Sequence, residues 1–223
     1  MNKVVITIDG PAASGKGSLS KKISEEFNFF YMETGIYYRG FASLFYKNQV
    51  NTLDLPYFIS NLNVTDFKEY IINNNKILYS TKVTKLASNL AKNKEIRAFI
   101  VKIQQDMIIT LEKKFNGIIL EGRDCGSVVA PKADLKFYLT ASLKVRAERR
   151  FNQFVKDKKD ISYEQVLSDL RERDVQDKNR KHSPLQKPKG AVVIDNSDYN
   201  FKETINIVKN IIFSRIPTLK SKI

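Results

Sequence analysis

The 223-residue sequence has no tryptophan, one cysteine, one histidine, six prolines and nine glycines. A single thiol, Cys125, cannot form an internal disulfide, which fits a reducing compartment and points to the cytoplasm. No run of about 18 apolar residues occurs, so no membrane span or membrane partner is expected. The opening apolar run starts at Val4 and stops at Asp9, too short for a secretory signal. There is no internal repeat and no low-complexity linker, and the residues after Pro217 are expected to fray. Hydrophobic residues make up 42% and charged residues 28%, a balance that suits one α/β domain carrying a subdomain or two.

Positive charge is abundant. The formal net charge is +14, with 38 Lys and Arg against 24 Asp and Glu. Excess charge of this sign can bind nucleic acid, attract small nucleotides, or simply solvate the surface. No RNA-binding aromatic signature or zinc-finger spacing supports the first option, so no specific nucleic-acid partner is expected.

Short apolar runs alternate with helical patterns. Val4 to Ile8 is a β-branched run bounded by Asp9, Gly10 and Pro11, as in a buried central strand. A helix is predicted over 16–27, with Leu19, Ile23 and Phe27 on one face. Further strands are predicted at 29–32, 118–120, 135–139 and 191–194, and a last helix with Phe201, Ile205, Val208 and Ile212 on one face. This alternation predicts a parallel sheet covered by helices. Two stretches break the pattern. Over 60–82, Tyr70-Ile71-Ile72 and Ile77-Leu78-Tyr79 flank Asn73-Asn74-Asn75 and are predicted to pair as a hairpin. A long helix is expected after it, over 94–115. The segment 143–189 is helical and basic, with 14 Lys and Arg against 8 Asp and Glu.

Gly10, Pro11, Ala12, Ala13, Ser14, Gly15, Lys16, Gly17 and Ser18 match G-x-x-x-x-G-K between a predicted strand and a predicted helix. Glycines in such a loop turn backbone N–H groups toward one point, and the helix N-terminus adds a favourable dipole for phosphate. Lys16 is the expected point charge on the β- and γ-phosphates of a nucleotide. Gly17 stands where the usual Mg²⁺-binding Ser or Thr would be. This G-K-G-S form resembles nucleoside monophosphate kinases, whose pattern leaves Mg²⁺ to water and phosphate oxygens. No residue is therefore assigned as a direct metal ligand.

Three further motifs follow in order: Glu33-Thr34-Gly35-Ile36-Tyr37-Tyr38-Arg39; Glu121-Gly122-Arg123-Asp124-Cys125-Gly126-Ser127-Val128-Val129-Ala130-Pro131; and Arg171-Glu172-Arg173-Asp174 with Asp177, Asn179 and Arg180. With the glycine loop, they make the sequence resemble the bacterial cytidylate kinases nearly end to end. Glu33 and Thr34 replace the family's more usual Asp-Ser. The resemblance implies an α/β, P-loop NTPase-type three-layer fold with a central parallel sheet. It also implies an inserted nucleoside-monophosphate-binding subdomain containing a small antiparallel sheet, and a helical lid. The expected division of the single kinase domain, 1–223, is a core of 1–39, 116–142 and 190–223, a monophosphate-binding subdomain of 40–115, and a lid of 143–189.

The resemblance also implies ATP as donor, Mg²⁺, and CMP or dCMP as acceptor, in a monomer. Arg39, beside Tyr38 and Thr34, is expected to clamp the acceptor phosphate. Ser88 and Arg97, nine residues apart, match the family's base- and phosphate-contacting pair. Arg123 and Asp124 follow a predicted strand, where α/β ligand sites gather. Arg173 and Asp177 match a sugar-binding pair, and with Arg180 they continue an apolar helix face that becomes charged. Taken alone, several of these would pass as surface ion pairs. Arg146, Arg149 and Arg150 share a face of the expected lid. Arg149 and Arg150, with Lys16 and Arg123, are the catalytic candidates, because phosphoryl transfer needs positive charge around the moving group. His182 reads as a loop residue. The competing expectations are a kinase of the same fold acting on UMP, AMP or a non-nucleotide, and a non-enzymatic RNA-binding protein.

Overall fold

The computed structural model describes residues 3–111, 113–158 and 160–222. Its elements in chain order are β1 (Val4–Asp9), α1 (Lys16–Phe27), β2 (Phe29–Glu33), α2 (Thr34–Lys47), α3 (Leu55–Asn61), α4 (Val64–Asn73), α5 (Asn75–Leu78), α6 (Thr81–Leu90), α7 (Lys94–Ile109), β3 (Gly117–Gly122), β4 (Leu135–Thr140), α8 (Leu143–Lys156), α9 (Tyr163–Asn179), β5 (Val192–Asp195) and α10 (Phe201–Arg215). A π-helical turn, Cys125–Val129, follows β3, and a 3-10 turn, Pro217–Lys222, closes the chain. The chain divides into two compact units, Met1–Met32 with Leu111–Ile223, and Glu33–Thr110.

The first unit is built on a five-stranded sheet of order β2-β3-β1-β4-β5. Strand β1 pairs in parallel with β3 and with β4, and β4 with β5. The chain thus leaves β1 for one side and later returns to the other, so the C-terminal end of β1 is a topological switch point. Ile6 and Ile8 of β1, Phe137 and Leu139 of β4, and Ile119 of β3 are buried together with Leu19, Ile23 and Phe27 of α1 and Ile205, Val208 and Ile212 of α10. These helical residues recur every three or four positions, which is why both helices lie on the sheet. Leu219 is buried in the same core and lies in the 3-10 turn Pro217–Lys222, a regular element where the sequence predicted only a frayed tail. A smaller cluster joins Ala147 of α8 and Val166 and Leu170 of α9 to Ala12.

The second unit is helical throughout its regular structure. Phe99 of α7 meets the rings of Phe41 of α2 and Phe67 of α4 at centroid separations of 6.2 and 6.0 Å. Helices α2 and α4 touch at Gly40, where an added Cβ would stand 2.5 Å from an Ile71 side-chain carbon. The expected hairpin and its small antiparallel sheet are not formed. Residues 64–73 and 75–78 are helical, and the Asn63 side chain caps α4 by accepting from the Thr65 and Asp66 amides. The apolar period decides the outcome. Phe67 and Ile71, four apart, are buried, while Ile72 is 73% exposed, so burial repeats as on a helix and not as on a strand. The three asparagines mark the break between two helices. Helix α7 also ends at Ile109, short of the expected 115.

Candidate active site

In the first unit the switch point carries the glycine loop. At Gly10 a Cβ would lie 2.0 Å from the Leu139 carbonyl oxygen, so only glycine lets the loop leave β1 past β4. Ala13 and Gly15 have φ of 59° and 91°, both left-handed, which coils the loop into the N-terminus of α1. Lys16 opens that helix and is 4% exposed. Its Nζ donates to the Pro11 carbonyl at 2.7 Å and approaches Ser14 Oγ at 3.4 Å. Burial, and after it the Arg123 charge, pushes Lys16 down to about 7, against the pull of Glu121 and Asp9. A cation held this way gains strongly from an anion brought within reach. Gly17 faces Tyr31 and Glu121, with the Glu121 carboxylate 3.8 Å from the position of an added Cβ. Ser18 is exposed on α1.

An ion-pair network lies on the same unit. Arg123 Nε donates to Asp177 Oδ2 at 2.9 Å, and an Arg123 NH group donates to the Gly122 carbonyl at 3.2 Å. Arg180, capping α9, donates through Nε to the Ser183 carbonyl and lies 3.8 Å from Asp177 and 3.9 Å from Asp124. Burial works against the charge on Asp177, but Arg123, Arg173 and Arg180 outweigh it and hold the carboxyl below the usual range. Burial likewise disfavours the Arg123 cation, and Asp177 and Glu121 more than restore it. Arg173 is half-buried on α9, one turn before Asp177.

The three arginines of α8 diverge. Arg146 is buried and donates to both oxygens of Asp174, at 3.2 and 2.6 Å, to the Ala141 carbonyl at 2.9 Å and to the Ala12 carbonyl at 3.2 Å. Arg149 grips Asn196, donating to its side-chain oxygen at 2.9 Å and its backbone oxygen at 2.8 Å. Arg150 lies over the Phe154 ring at 4.4 Å and donates to Gln153.

In the second unit Thr34 is buried at the start of α2, its carbonyl accepting from Gln104 at 3.0 Å. Arg39 of α2 donates to Thr84 Oγ1 at 2.9 Å and lies over the Tyr79 ring at 4.6 Å. Arg97 of α7 is buried, donates to the Ala91 carbonyl at 2.9 Å and lies over the Tyr38 ring at 5.2 Å. Ser88 is half-buried on α6.

A family model for cytidylate kinase matches residues 6–214. The chain belongs to the cytidylate kinase family. A cytidylate kinase from Fusobacterium nucleatum is 36% identical, the match covering 93% of this chain and 96% of that protein. One from Bartonella bacilliformis is also 36% identical, over 91% of each. The crystal structure of an uncharacterized protein from Eubacterium ventriosum shares the fold at a TM-score of 0.55 and 10% identity, covering 95% of this chain and 99% of that one. Membership in this kinase family implies ATP as the phosphoryl donor and small nucleotides as substrates. Among the described residues no helix is long and apolar enough to cross a membrane.

Four members of this geometry were not singled out from the sequence as site residues. Asn196 donates to the Ser14 carbonyl at 3.1 Å while it accepts from Arg149, across 182 positions of sequence that no spacing rule connects. Asp174 belongs to a quoted motif, but its partner Arg146 is set by tertiary contact. Asp9, fully buried, accepts the amides of Cys125 and Gly126 at 2.7 Å each and so pins the turn after Arg123 and Asp124. Burial pushes its carboxyl up to about 6, opposed by those two amides. Glu121 did have a signal, an acidic residue ending the apolar run of β3.

Proposed function

We propose that the protein transfers the γ-phosphoryl group of ATP to CMP and dCMP, giving CDP and dCDP, as a step of pyrimidine nucleotide metabolism. An acceptor phosphate oxygen attacks the γ-phosphorus in line, the bond to the β–γ bridging oxygen breaks, and ADP leaves with that oxygen's charge. The observation that carries this reading is Lys16, whose buried amino group bonds a carbonyl and a hydroxyl at the mouth of a glycine loop. A nucleotide β,γ-phosphate supplies the countercharge, and the loop amides receive its oxygens.

Arg123, Arg149 and Arg150 stabilise the charge on the moving group. Arg149, which also bonds Asn196, ties that role to the loop that holds the donor. In the second unit Arg39 and Arg97 take the acceptor phosphate, with Thr34, Tyr38 and Ser88 as further substrate contacts. In the first unit Asp124, Arg173, Asp177 and Arg180 take the base and ribose. Residues 40–115 act as the monophosphate-binding subdomain and 143–189 as the lid, which excludes water from the transfer. The site takes Mg²⁺ with the nucleotide. Phosphate oxygens of the nucleotide would hold it, with Glu121, whose carboxylate lies beside Gly17, as the nearby acidic side chain. When bound it neutralises β,γ-charge. We also infer a cytoplasmic monomer, which light scattering should report at the chain mass of 25.7 kDa.

The test is an ADP-coupled assay with Mg-ATP and a panel of CMP, dCMP, UMP and AMP. CMP and dCMP should turn over at least about tenfold more efficiently than AMP. Absence of CMP-dependent ADP formation overturns the proposal, and preference for UMP or AMP moves it to another acceptor on the same fold.

A further inference from the structure

Arg39 is held by groups that leave its charge intact. One terminal nitrogen of its guanidinium donates to Thr84 Oγ1 at 2.9 Å and approaches the Leu78 carbonyl at 3.4 Å. The plane lies over the Tyr79 ring, 4.6 Å from its centroid. The Tyr79 hydroxyl donates in turn to the Glu33 carboxylate. Nε and the second terminal nitrogen make no hydrogen bond to a described residue, and together they form the side-on fork that takes two oxygens of a phosphate in parallel. Thr84 thus fixes one corner of the guanidinium, the ring fixes its tilt, and the remaining edge is the one suited to an anion. Tyr79 caps the C-terminus of α5, a place where the chain could otherwise swing, and Glu33 pins it to the start of α2. The longer side chain of glutamate reaches this hydroxyl, in a motif where the family more usually has aspartate.

We propose that Tyr79 and Thr84 are positioning residues that pre-orient Arg39 for the acceptor phosphate, with Glu33 holding Tyr79 in place. This rests on the reading of Arg39 as the acceptor-phosphate clamp. A ring under a guanidinium favours the cation without neutralising it, whereas a carboxylate at the same spot would compete with the incoming phosphate. The substrate recognised in this way is a phosphomonoester dianion presented edge-on.

The experiment measures KM for CMP and for ATP in Tyr79→Leu, Tyr79→Phe, Thr84→Val, Arg39→Ala and the double variant Tyr79→Leu/Arg39→Ala, with thermal melts to check folding. Tyr79 is 42% exposed, so its replacement should leave the fold intact. Tyr79→Leu should raise KM for CMP about three- to tenfold, the size of a stacked cation, and leave KM for ATP unchanged. Tyr79→Phe, which keeps the ring and loses the tie to Glu33, should fall between wild type and Leu. The double variant should be no worse than Arg39→Ala, because Tyr79 acts through Arg39. If Tyr79→Leu stays within twofold of wild type while Arg39→Ala loses more than tenfold, the positioning role is overturned and the clamp stands. If Arg39→Ala leaves KM for CMP unchanged, the clamp reading falls and takes the positioning role with it.

Discussion

The two units hold their arginines in different ways. In the first, Arg123 and Arg146 are bonded to Asp177 and Asp174, and Arg180 lies between Asp124 and Asp177. In the second, Arg39 and Arg97 lie over tyrosine rings and bond hydroxyl or carbonyl oxygens. A carboxylate fixes an arginine firmly but spends its charge, and an incoming phosphate must share it. A ring and a carbonyl orient the cation more softly and leave its field available. At Arg146 the first arrangement suits a framework whose shape must persist, and at Arg39 the second suits a group that must attract an anion. Lys16 stands apart from both: it is buried and bonds a carbonyl and a hydroxyl, with the Glu121 and Asp9 charges acting on it without a direct bond.

The largest expected effect is at that residue. Lys16→Met should lower kcat/KM by about a hundredfold to a thousandfold, the size of removing one charge-stabilising donor, while leaving the melting temperature equal or higher. A loss of stability instead would mean that Lys16 is a framework cation like Arg146. Next comes the framework itself. Asp174→Ala strands Arg146 in a buried setting and should cost about 3 kcal/mol in urea unfolding. An unchanged midpoint would erase the distinction between the units. Arg39→Lys keeps the charge and loses the fork. KM for CMP should rise about tenfold with little change in stability, and equal KM values would show that charge alone suffices.

The last effect is a pH slope. Lys16 has its ordinary value near 10.5 in the unfolded chain and about 7 in the fold. Between those values the unfolded chain binds a proton that the folded one does not, so stability should rise with pH through that window, by about 1.4 kcal/mol per unit at most. Urea midpoints from pH 7.5 to 9.5 should climb more steeply in wild type than in Lys16→Met, and parallel curves would sink the assignment.

What the sequence made legible follows the range of the interactions involved. Helix α1 was predicted with its observed bounds, because Leu19, Ile23 and Phe27 write its buried face locally. The five strands were legible within two residues, since short β-branched or aromatic apolar runs bounded by polar residues leave few other options. The stretch 70–79 misled because two apolar triplets around three asparagines look like a hairpin at short range. Only the spacing from Phe67 to Ile71, and the contact of Ile71 with Gly40, select the helix. In the site, motif residues on one strand end or one helix were visible. The Arg146–Ala12, Arg149–Asn196 and Asn196–Ser14 bonds were not, because each joins positions separated by 47 to 182 residues.

The pinning of the π-helical turn by Asp9 makes Cys125 a clock. Its thiol is fully buried and its amide is one of the two bonded to that carboxylate. A disulfide reagent in solution can therefore react only with molecules in which the turn has come away from β1. Because no other cysteine competes for the label, the rate of that single reaction reads out how often the turn after Asp124 leaves the end of β1. Adding a nucleotide should slow it in proportion to occupancy, giving a direct measure of how far ligand binding holds that turn in place.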